Sequence, residues 1–475
     1  MGRRGEESGP TIEFYGGRGM SAFPLVFFIV WAVVQSGLLR IGDTTGLVAG
    51  MLVGLILGML FVRGSWQGYA NTVGGLVWAA SVADIGASLF PAITFILAGL
   101  LATGIGTGYG TTVAFTTLFF PAGILLGASP VLMFGAILSG AVFGDNLAPV
   151  SDTTIVSAVT QQADIGGVVA SRFKYAIVAA ILAFAGYVVA GGAMPGLDIS
   201  GQQQQIFLEN SRPLGLVHLV SMFAVIGTAV AGRHIVEAIS WGIIVAFVAN
   251  VALGLASVAE MVVFRAPPDL AIAESLSWLP FVTLAESQDA VGVGGSLYSG
   301  AEGFFPLIVL VLLIVAGAQI TINGGGFAAI QDWLLTSVAT SVRRSELTMV
   351  LGTAIVNAMI TINTAAEIAI APYIARLGER FNINGYRRAN ILDANTAALG
   401  YIFPWSGGVL VGYAVIQDLP NRFEWFTQSM VVNPVEVVPF VFHGWLLVTV
   451  FIIAALTGFG REYTVDRESE EVARV

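Results

Sequence analysis

The sequence predicts an all-α, polytopic membrane protein, and three observations carry that prediction. Of 475 residues, 56% are hydrophobic and 11% charged, where a soluble domain is about 25% charged. The mean hydropathy is +0.84. Apolar runs, many close to the length of roughly 18–20 residues that crosses a bilayer, recur about eleven times: Ser21–Leu39, Thr44–Val62, Phe90–Leu101, Val131–Phe143, Tyr175–Ala193, Leu216–Ala231, Ile235–Leu255, Phe304–Ile322, Leu347–Ala371, Ala397–Ile416 and Val437–Leu456. Lipid offers no partner to an unpaired backbone group, so such runs are read as helices.

In chain order, residues 1–20 form a polar N-terminal segment. Arg3, Arg4 and Arg18 precede the first run and Arg40 follows it, which places the N-terminus in the cytoplasm by the positive-inside rule. The opening residues lack the apolar core of a cleaved signal, so Ser21–Leu39 reads as a first membrane helix. Trp66–Leu89, with Asn71 and Asp84, reads as an interfacial helix or short tilted span. Phe90–Leu126 is too rich in glycine and threonine for an ordinary span. Gly104, Gly106, Gly108, Gly110, Thr111 and Thr112 crowd its middle and Pro121 follows. A re-entrant hairpin with its bend at Gly104–Gly110 fits, since irregular backbone at membrane depth survives inside protein or beside a watery cavity. The alternative is a glycine-rich packing face between helices. No strand precedes these glycines and no lysine follows, so they are not a phosphate loop.

Gly140–Thr154 holds the densest chemistry. Asp145, Asn146, Ser151, Asp152, Thr153 and Thr154 cluster around Pro149. Ionisable groups at membrane depth are costly and mark function. Pro149 has no N–H, so the carbonyl of Asp145 loses its helical partner. Asp145 and Asp152 share one face if the helix is continuous. Carboxylates and freed carbonyls at a helix break form the kind of site in which transporters hold small cations. A plain proline kink needs neither carboxylate.

Arg172 and Lys174 mark the end of the next loop. Gly201–Arg212 is a polar loop, and Leu216–Leu255 a helix pair turning at Gly232–Glu237. Glu260–Glu302 mixes acidic, polar and glycine residues and separates two halves. The chain divides into 1–20, a first transmembrane repeat over 21–256, a connecting loop over 257–302, a second repeat over 303–458 and a polar tail over 459–475. The repeat is visible in proline spacing: Thr112 and Pro121 match Asn363 and Pro372, and Pro149-Val-Ser151 matches Pro404-Trp-Ser406. Corresponding interrupted segments in two halves point to a transporter site. The second half adds Asn363, Glu367, Asp393, Asn395 and Ser406. Pro404 frees the carbonyl of Gly400 as Pro149 frees that of Asp145. Asp393 is either a helix cap or a site residue, and Arg376 is a possible counter-charge for Glu367. Arg343, Arg344, Arg376, Arg380, Arg387 and Arg388 mark cytoplasmic loops.

Several functions are disfavoured. The chain has no cysteine and only three scattered histidines, His218, His234 and His443, so disulfides and thiolate or histidine metal sites are not expected. A hydrolase would need a base at Ser151, which only a distant histidine such as His218 could supply through folding. The net charge is −10 and Lys174 is the only lysine; an acidic, lysine-poor surface suits a salt-loving source.

Gly140-Ala-Val-Phe-Gly-Asp-Asn-Leu-Ala-Pro-Val-Ser-Asp-Thr-Thr154 closely resembles the signature of the NhaC-type Na+/H+ antiporters. Thr103–Thr111, Arg388–Asp393 and Ile402–Trp405 resemble further stretches of that family. The resemblance runs from about Phe90 to Ile416. It implies two inverted repeats, re-entrant hairpins, a homodimer in the lipid bilayer and exchange of Na+ for H+, with no cofactor and no nucleic acid. Relatives exchange organic solutes instead, malate for lactate or arginine for ornithine. It places Asp145, Ser151, Asp152, Thr153 and Thr154 on the family signature. The family's lysine is Asn146 here, its glutamate before Asp393 is Leu392, and Trp405-Ser-Gly-Gly408 replaces a more polar stretch. The expected mechanism is competition: Na+ and protons displace one another at Asp145 and Asp152.

Overall fold

Two kinds of interruption cut the apolar chain into helices: single residues in left-handed backbone, and prolines. The computed structural model describes residues 86–149, 151–194, 235–266, 277–284, 293–294, 305–423 and 425–464, with a few isolated residues between them. The expected runs Ser21–Leu39 and Thr44–Val62 and nearly all of Trp66–Leu89 lie outside the described residues, as does most of Leu216–Ala231.

Helix α1 (Phe90–Ile105) carries Pro91 in its first turn, where a missing N–H costs nothing, and stops at Gly106 with φ 69°. That left-handed backbone favours glycine. Thr107 then caps α2 (Gly108–Leu125), accepting from the Gly110 N–H at 3.3 Å. The bend expected over Gly104–Gly110 is thus a two-residue turn at Gly106–Thr107. Helix α3 (Pro130–Leu147) again starts on proline and ends before Pro149. After the break, Ser151 is the N-cap of α4 (Asp152–Thr160). Helix α5 (Ile165–Ala193) follows, its first turn capped by Asp164 on the Gly167 N–H at 2.7 Å.

Helix α3 packs tightly on α1 through small residues. A Cβ added to Gly140 would lie 2.5 Å from the Ala98 Cβ and 2.7 Å from the Phe95 carbonyl, and one added to Gly144 would strike the Gly99 carbonyl. Two glycines four residues apart let the backbones approach, which is how helices associate where lipid removes the hydrophobic drive.

The connecting region is not featureless. Helix α6 (Ile235–Ala252) leads to a short α7 (Val258–Met261) with a capping box from Ser257 and Glu260. Strands β1 (Val263–Ala266), β2 (Val282–Leu284) and β3 (Val293–Gly294) form a small sheet in the order β2-β1-β3, parallel on one side and antiparallel on the other. This region falls in a compact unit distinct from the one that holds 73–214 and 306–475.

Helices α8 (Phe305–Asn323) and α9 (Gly326–Trp333) precede a π-turn over Leu334–Val338. The run Leu347–Ala371, expected as one span, is two helices: α10 (Val342–Ile360) and α11 (Asn363–Phe381), parted at Thr361 with φ 61°. The run Ala397–Ile416 is also two: α12 (Gly385–Leu399) and α13 (Gly407–Arg422), parted around Pro404. A short α14 (Pro434–Val437) and α15 (Phe442–Thr457) complete the described chain.

Each half therefore repeats one layout: helix, left-handed turn, helix, then helix, proline break, helix. The two breaks align, since Ser151 and Ser406 are both N-caps two residues after proline. The turns align differently from the proline spacing. Asn363 opens α11 as Gly108 opens α2, so Thr112 sits one turn beyond the counterpart of Asn363. Among the described residues, α3, α5 and the stretch Gln428–Thr457 are long and apolar enough to cross a membrane.

Candidate functional site

Residues that cannot continue a helix end up beside one another in the unit that holds both repeats. The Gly108 Cα faces the Tyr401 hydroxyl, and a Cβ there would lie 2.9 Å from Oδ2 of Asp145. The Gly407 N–H donates to the Thr361 carbonyl at 3.0 Å. Gly400 sits against the Asn363 amide, and Gly407 faces the Tyr109 hydroxyl. Thr364 donates to Oδ2 of Asp152. The left-handed turn of each half thus meets the proline break of the other.

Asp145 lies in the last turn of α3 and is buried. Ser151, across the break, donates to its Oδ1 at 2.8 Å and lies 3.0 Å from the Thr153 hydroxyl. Its carboxylate also faces the Gly108 N–H at the start of α2, where the helix dipole favours negative charge. Among the described residues no guanidinium or ammonium pairs with it. In the second half the same geometry recurs without the acid: Ser406 donates to the Gly400 carbonyl at 2.7 Å. That carbonyl is the one Pro404 deprives of a backbone partner, and a hydroxyl takes the role.

Asp393 lies within α12, fully buried, and is not a helix cap. Its Oδ2 pairs with Nη1 of Arg172 and accepts from Thr154 at 3.1 Å and Ser157 at 3.4 Å. Arg172 is not at a loop end; it is buried inside α5. The same Nη1 reaches the Asn146 carbonyl at 2.5 Å, and Nε reaches Oδ1 of Asn390 at 3.0 Å. Glu367 is fully buried on α11, and Thr396 donates to its Oε1 at 2.6 Å. Arg376 does not neutralise it, because that guanidinium bonds Gln331 at 3.0 Å and lies 3.6 Å from Asp332.

Many buried polar atoms in this unit make no hydrogen bond among the described residues: both side-chain ends of Asn146 and Asn363, Oε2 of Glu367, Oδ1 of Asp393, Asn395 and Asn357, and the Thr112 hydroxyl. Unsatisfied buried groups cost about 1–3 kcal/mol each, so such a concentration marks a place that water or an ion completes. Most of these atoms are oxygens, the donor set hard cations take.

The candidate residues divide accordingly. Asp145, Ser151, Thr153, Gly108 and the Tyr401 ring form one group; Asn146, Thr154, Asp393 and Arg172 a second; Glu367 and Thr396 a third, joined to the second because Thr396 also bonds the Asp393 carbonyl at 3.0 Å. Asn395 and Ser406 turn their donors to backbone carbonyls. Asp152 is exposed at the start of α4, and the break after Leu147 puts it on a different helix from Asp145, though still within electrostatic reach of that carboxylate. Pro149 is exposed in that break. Gly104 lies in the last turn of α1 and Gly110 and Thr111 in the first turn of α2, on either side of the Gly106–Thr107 turn, where the Thr111 hydroxyl donates to the Thr107 carbonyl at 2.9 Å. Arg172, Thr396 and Tyr401 were not singled out from sequence. Arg172 stands three residues before the run Tyr175–Ala193, and the helix that holds it begins ten residues ahead of that run, at Ile165.

Arg387 and Arg388 are not loop charges. Both are buried in α12, Arg387 on Glu346 at 2.8 Å and Arg388 on the carbonyls of Gln161 and Ala375. His443 is buried between Phe95 and Phe143, away from Ser151, whose hydroxyl partners are Asp145 and Thr153. His218 and His234 lie outside the described residues.

The model of the Na+/H+ antiporter family matches residues 73–192 and 170–445. The arginine/ornithine antiporter ArcD of Halobacterium salinarum is 25% identical over 378 residues, covering 75% of this chain and 72% of that protein. The malate-2H(+)/Na(+)-lactate antiporter of Bacillus subtilis is 31% identical over 124 residues, 26% of each chain. An uncharacterized protein of Haemophilus influenzae is 32% identical over 117 residues, 24% of this chain and 22% of that one.

Proposed function

Because the chain belongs to the Na+/H+ antiporter family, a family of multi-pass membrane antiporters rather than enzymes, we propose that it exchanges Na+ for H+ through the buried acids gathered at its helix breaks. The observation that carries this reading is Asp145, a buried carboxylate held between a serine hydroxyl and a helix N-terminus, with no basic partner beside it among the described residues. Glu367 is a second buried acid whose hydrogen-bond partner is a hydroxyl. Each can take either a proton or a cation, and occupancy by one disfavours the other. That exclusion is the coupling. Exchange takes place in the cell membrane, with the N-terminus in the cytoplasm and the protein acting as a homodimer.

The test is proton movement in everted vesicles or proteoliposomes on addition of Na+, Li+ or K+. Dissipation of a preset proton gradient by Na+ is expected. A gradient that survives Na+ overturns the reading.

A second reading is exchange of a cationic amino acid. It is favoured by the similarity to the Halobacterium antiporter over most of both chains and by three buried acids, Asp145, Asp393 and Glu367, against one buried arginine among them, Arg172. The same excess of negative charge disfavours an organic acid such as malate. Uptake of labelled arginine driven by internal ornithine, with no effect of Na+, would establish this second reading over the first.

A further inference from the structure

We infer that Arg172 is a tethered cation which the transported ion displaces from Asp393, so that the affinity of the carrier is set by competition between a mobile charge and a fixed one. The inference rests on the exchange reading above and adds to it a residue that sets specificity.

Four features of the Arg172 contact carry it. The guanidinium is wholly buried and meets Asp393 through Nη1 alone. Among the described residues its Nη2 makes no hydrogen bond, and neither does Oδ1 of Asp393. Arginine and a carboxylate prefer the paired fork, with two parallel bonds. A clamp that served only stability would close into that fork, since each buried unpaired group costs about 1–3 kcal/mol. Here one donor and one acceptor are left open on the two partners.

The second feature is the root of the side chain. Nε is held by Asn390, which in turn donates to Ser171 at 2.5 Å. The base of the guanidinium is fixed while its outer nitrogens contact the site. Third, Nη1 has other acceptors besides the carboxylate: it lies 2.5 Å from the Asn146 backbone carbonyl and 3.3 Å from the Thr154 hydroxyl. A guanidinium leaving Asp393 therefore keeps buried oxygens beside it and is not stranded. Fourth, Asp393 adjoins the other acids. Thr396 bonds both its carbonyl and Oε1 of Glu367, whose Oε2 is unpaired. A cation arriving at Glu367 finds in Asp393 the second carboxylate that would balance it, provided Arg172 gives way. No bond is made or broken in this exchange; one cation replaces another on Oδ2.

Competition has a sign that a structural clamp lacks. In proteoliposomes, KM for Na+ in proton exchange is measured for the full-length wild type, Arg172→Gln, Asp393→Asn and the double variant. Removing the tethered rival lowers KM, by about tenfold for a difference of about 1.4 kcal/mol, and slows turnover because release is no longer assisted. In the Asp393→Asn background the Arg172→Gln change no longer lowers KM. A raised KM in Arg172→Gln, or an equal fall in both backgrounds, overturns the inference while leaving the exchange reading intact. Should Arg172→Gln fail to fold, Asn390→Ala decides. Loss of the hydrogen bond that holds the guanidinium at Nε weakens the tethered rival and lowers KM severalfold, and an unaltered or raised KM overturns the inference. A wild type that moves protons for neither Na+, Li+, K+ nor arginine overturns the exchange reading, and the inference falls with it.

Discussion

Ser151 donates its hydroxyl to Oδ1 of Asp145 at 2.8 Å, across the break between α3 and α4. Ser406 does the same six residues after Gly400, but to a backbone carbonyl at 2.7 Å. The two halves share a scaffold and differ in charge: an acid in the first, bare backbone in the second. Asp145→Asn is therefore expected to insert normally and to lose Na+-driven proton movement, because an amide cannot exchange a proton for a cation. Ser151→Ala removes one charge-assisted hydrogen bond, worth about 1.5–3 kcal/mol. A severalfold to hundredfold rise in KM for Na+ is expected in vesicle assays, with exchange retained. Full exchange by Asp145→Asn would remove this acid from the mechanism.

Asp152 is predicted to behave differently. It is exposed at the start of α4 and accepts from Thr364 of the opposite half. Exposed hydrogen bonds and charges contribute about 0–1 kcal/mol. Asp152→Asn is expected to leave exchange running with KM changed by no more than about fivefold. Abolished exchange in Asp152→Asn, with normal protein levels, would show that the ion passes through this carboxylate as well.

The contrast between these two aspartates measures what sequence can and cannot show. The helix breaks were legible because proline removes a specific hydrogen bond at a fixed offset, and Pro149 and Pro404 do so in the structure. The turn at Gly106 was legible from glycine density. The shared face of Asp145 and Asp152 was conditional on a continuous helix, and the break at Pro149 removes that condition, since a seven-residue spacing counts only along an unbroken helix. The run Leu347–Ala371 reads as one span although its Thr361–Pro372 stretch also matches the hairpin of the first half; no proline or glycine marks the turn itself, and a threonine adopts the left-handed backbone there. Arg172 and Asp393 illustrate a deeper limit. Their pairing joins the two halves of the chain, and no local periodicity records which distant charge will neutralise which. For the same reason Arg387 was read as a loop charge, when its partner Glu346 lies on another helix.

Helix contact within the first half gives a stability prediction. Gly140 touches Ala98 and the Phe95 carbonyl so closely that a Cβ would stand 2.5–2.7 Å from them. The obstacle on one side is backbone, which cannot rotate away. Overpacking of this kind costs about 1–3 kcal/mol or more. Gly140→Val is expected to lower the unfolding temperature in detergent by several degrees and to reduce exchange, through displacement of the α3 segment that carries Asp145. Gly192→Val, where a Cβ meets nothing within 4 Å, is the control. Equal stability of the two variants would refute the close-approach role of Gly140.

The last prediction concerns Glu346, which is fully buried on α10 between two arginines. Arg387 reaches it at 2.8 and 3.3 Å and Arg461 at 2.8 Å, while Arg387 also donates to the Tyr175 hydroxyl at 2.9 Å. One carboxylate thereby ties α10, α12 and the segment after α15. That segment is held further by backbone bonds, Asn384 N–H to the Glu462 carbonyl at 2.9 Å and Thr464 N–H to the Asn382 carbonyl at 3.0 Å. Removing the shared partner leaves the buried guanidinium of Arg387 and the partly exposed one of Arg461 without a carboxylate, whereas removing Arg461 leaves Glu346 still paired with Arg387. Breaking a buried pair costs about 3–5 kcal/mol, so Glu346→Leu should destabilise most. Arg461→Ala should cost less globally, because that side chain is 17% exposed, yet should loosen the segment locally. Thermal unfolding in detergent orders the variants, and limited proteolysis reports the segment. Faster cleavage within 458–464 is expected for Arg461→Ala at temperatures where the rest of the protein is intact. If cleavage stays at the wild-type rate, the backbone bonds to Asn382 and Asn384 are sufficient by themselves, and the arginine contributes nothing to holding the segment in place.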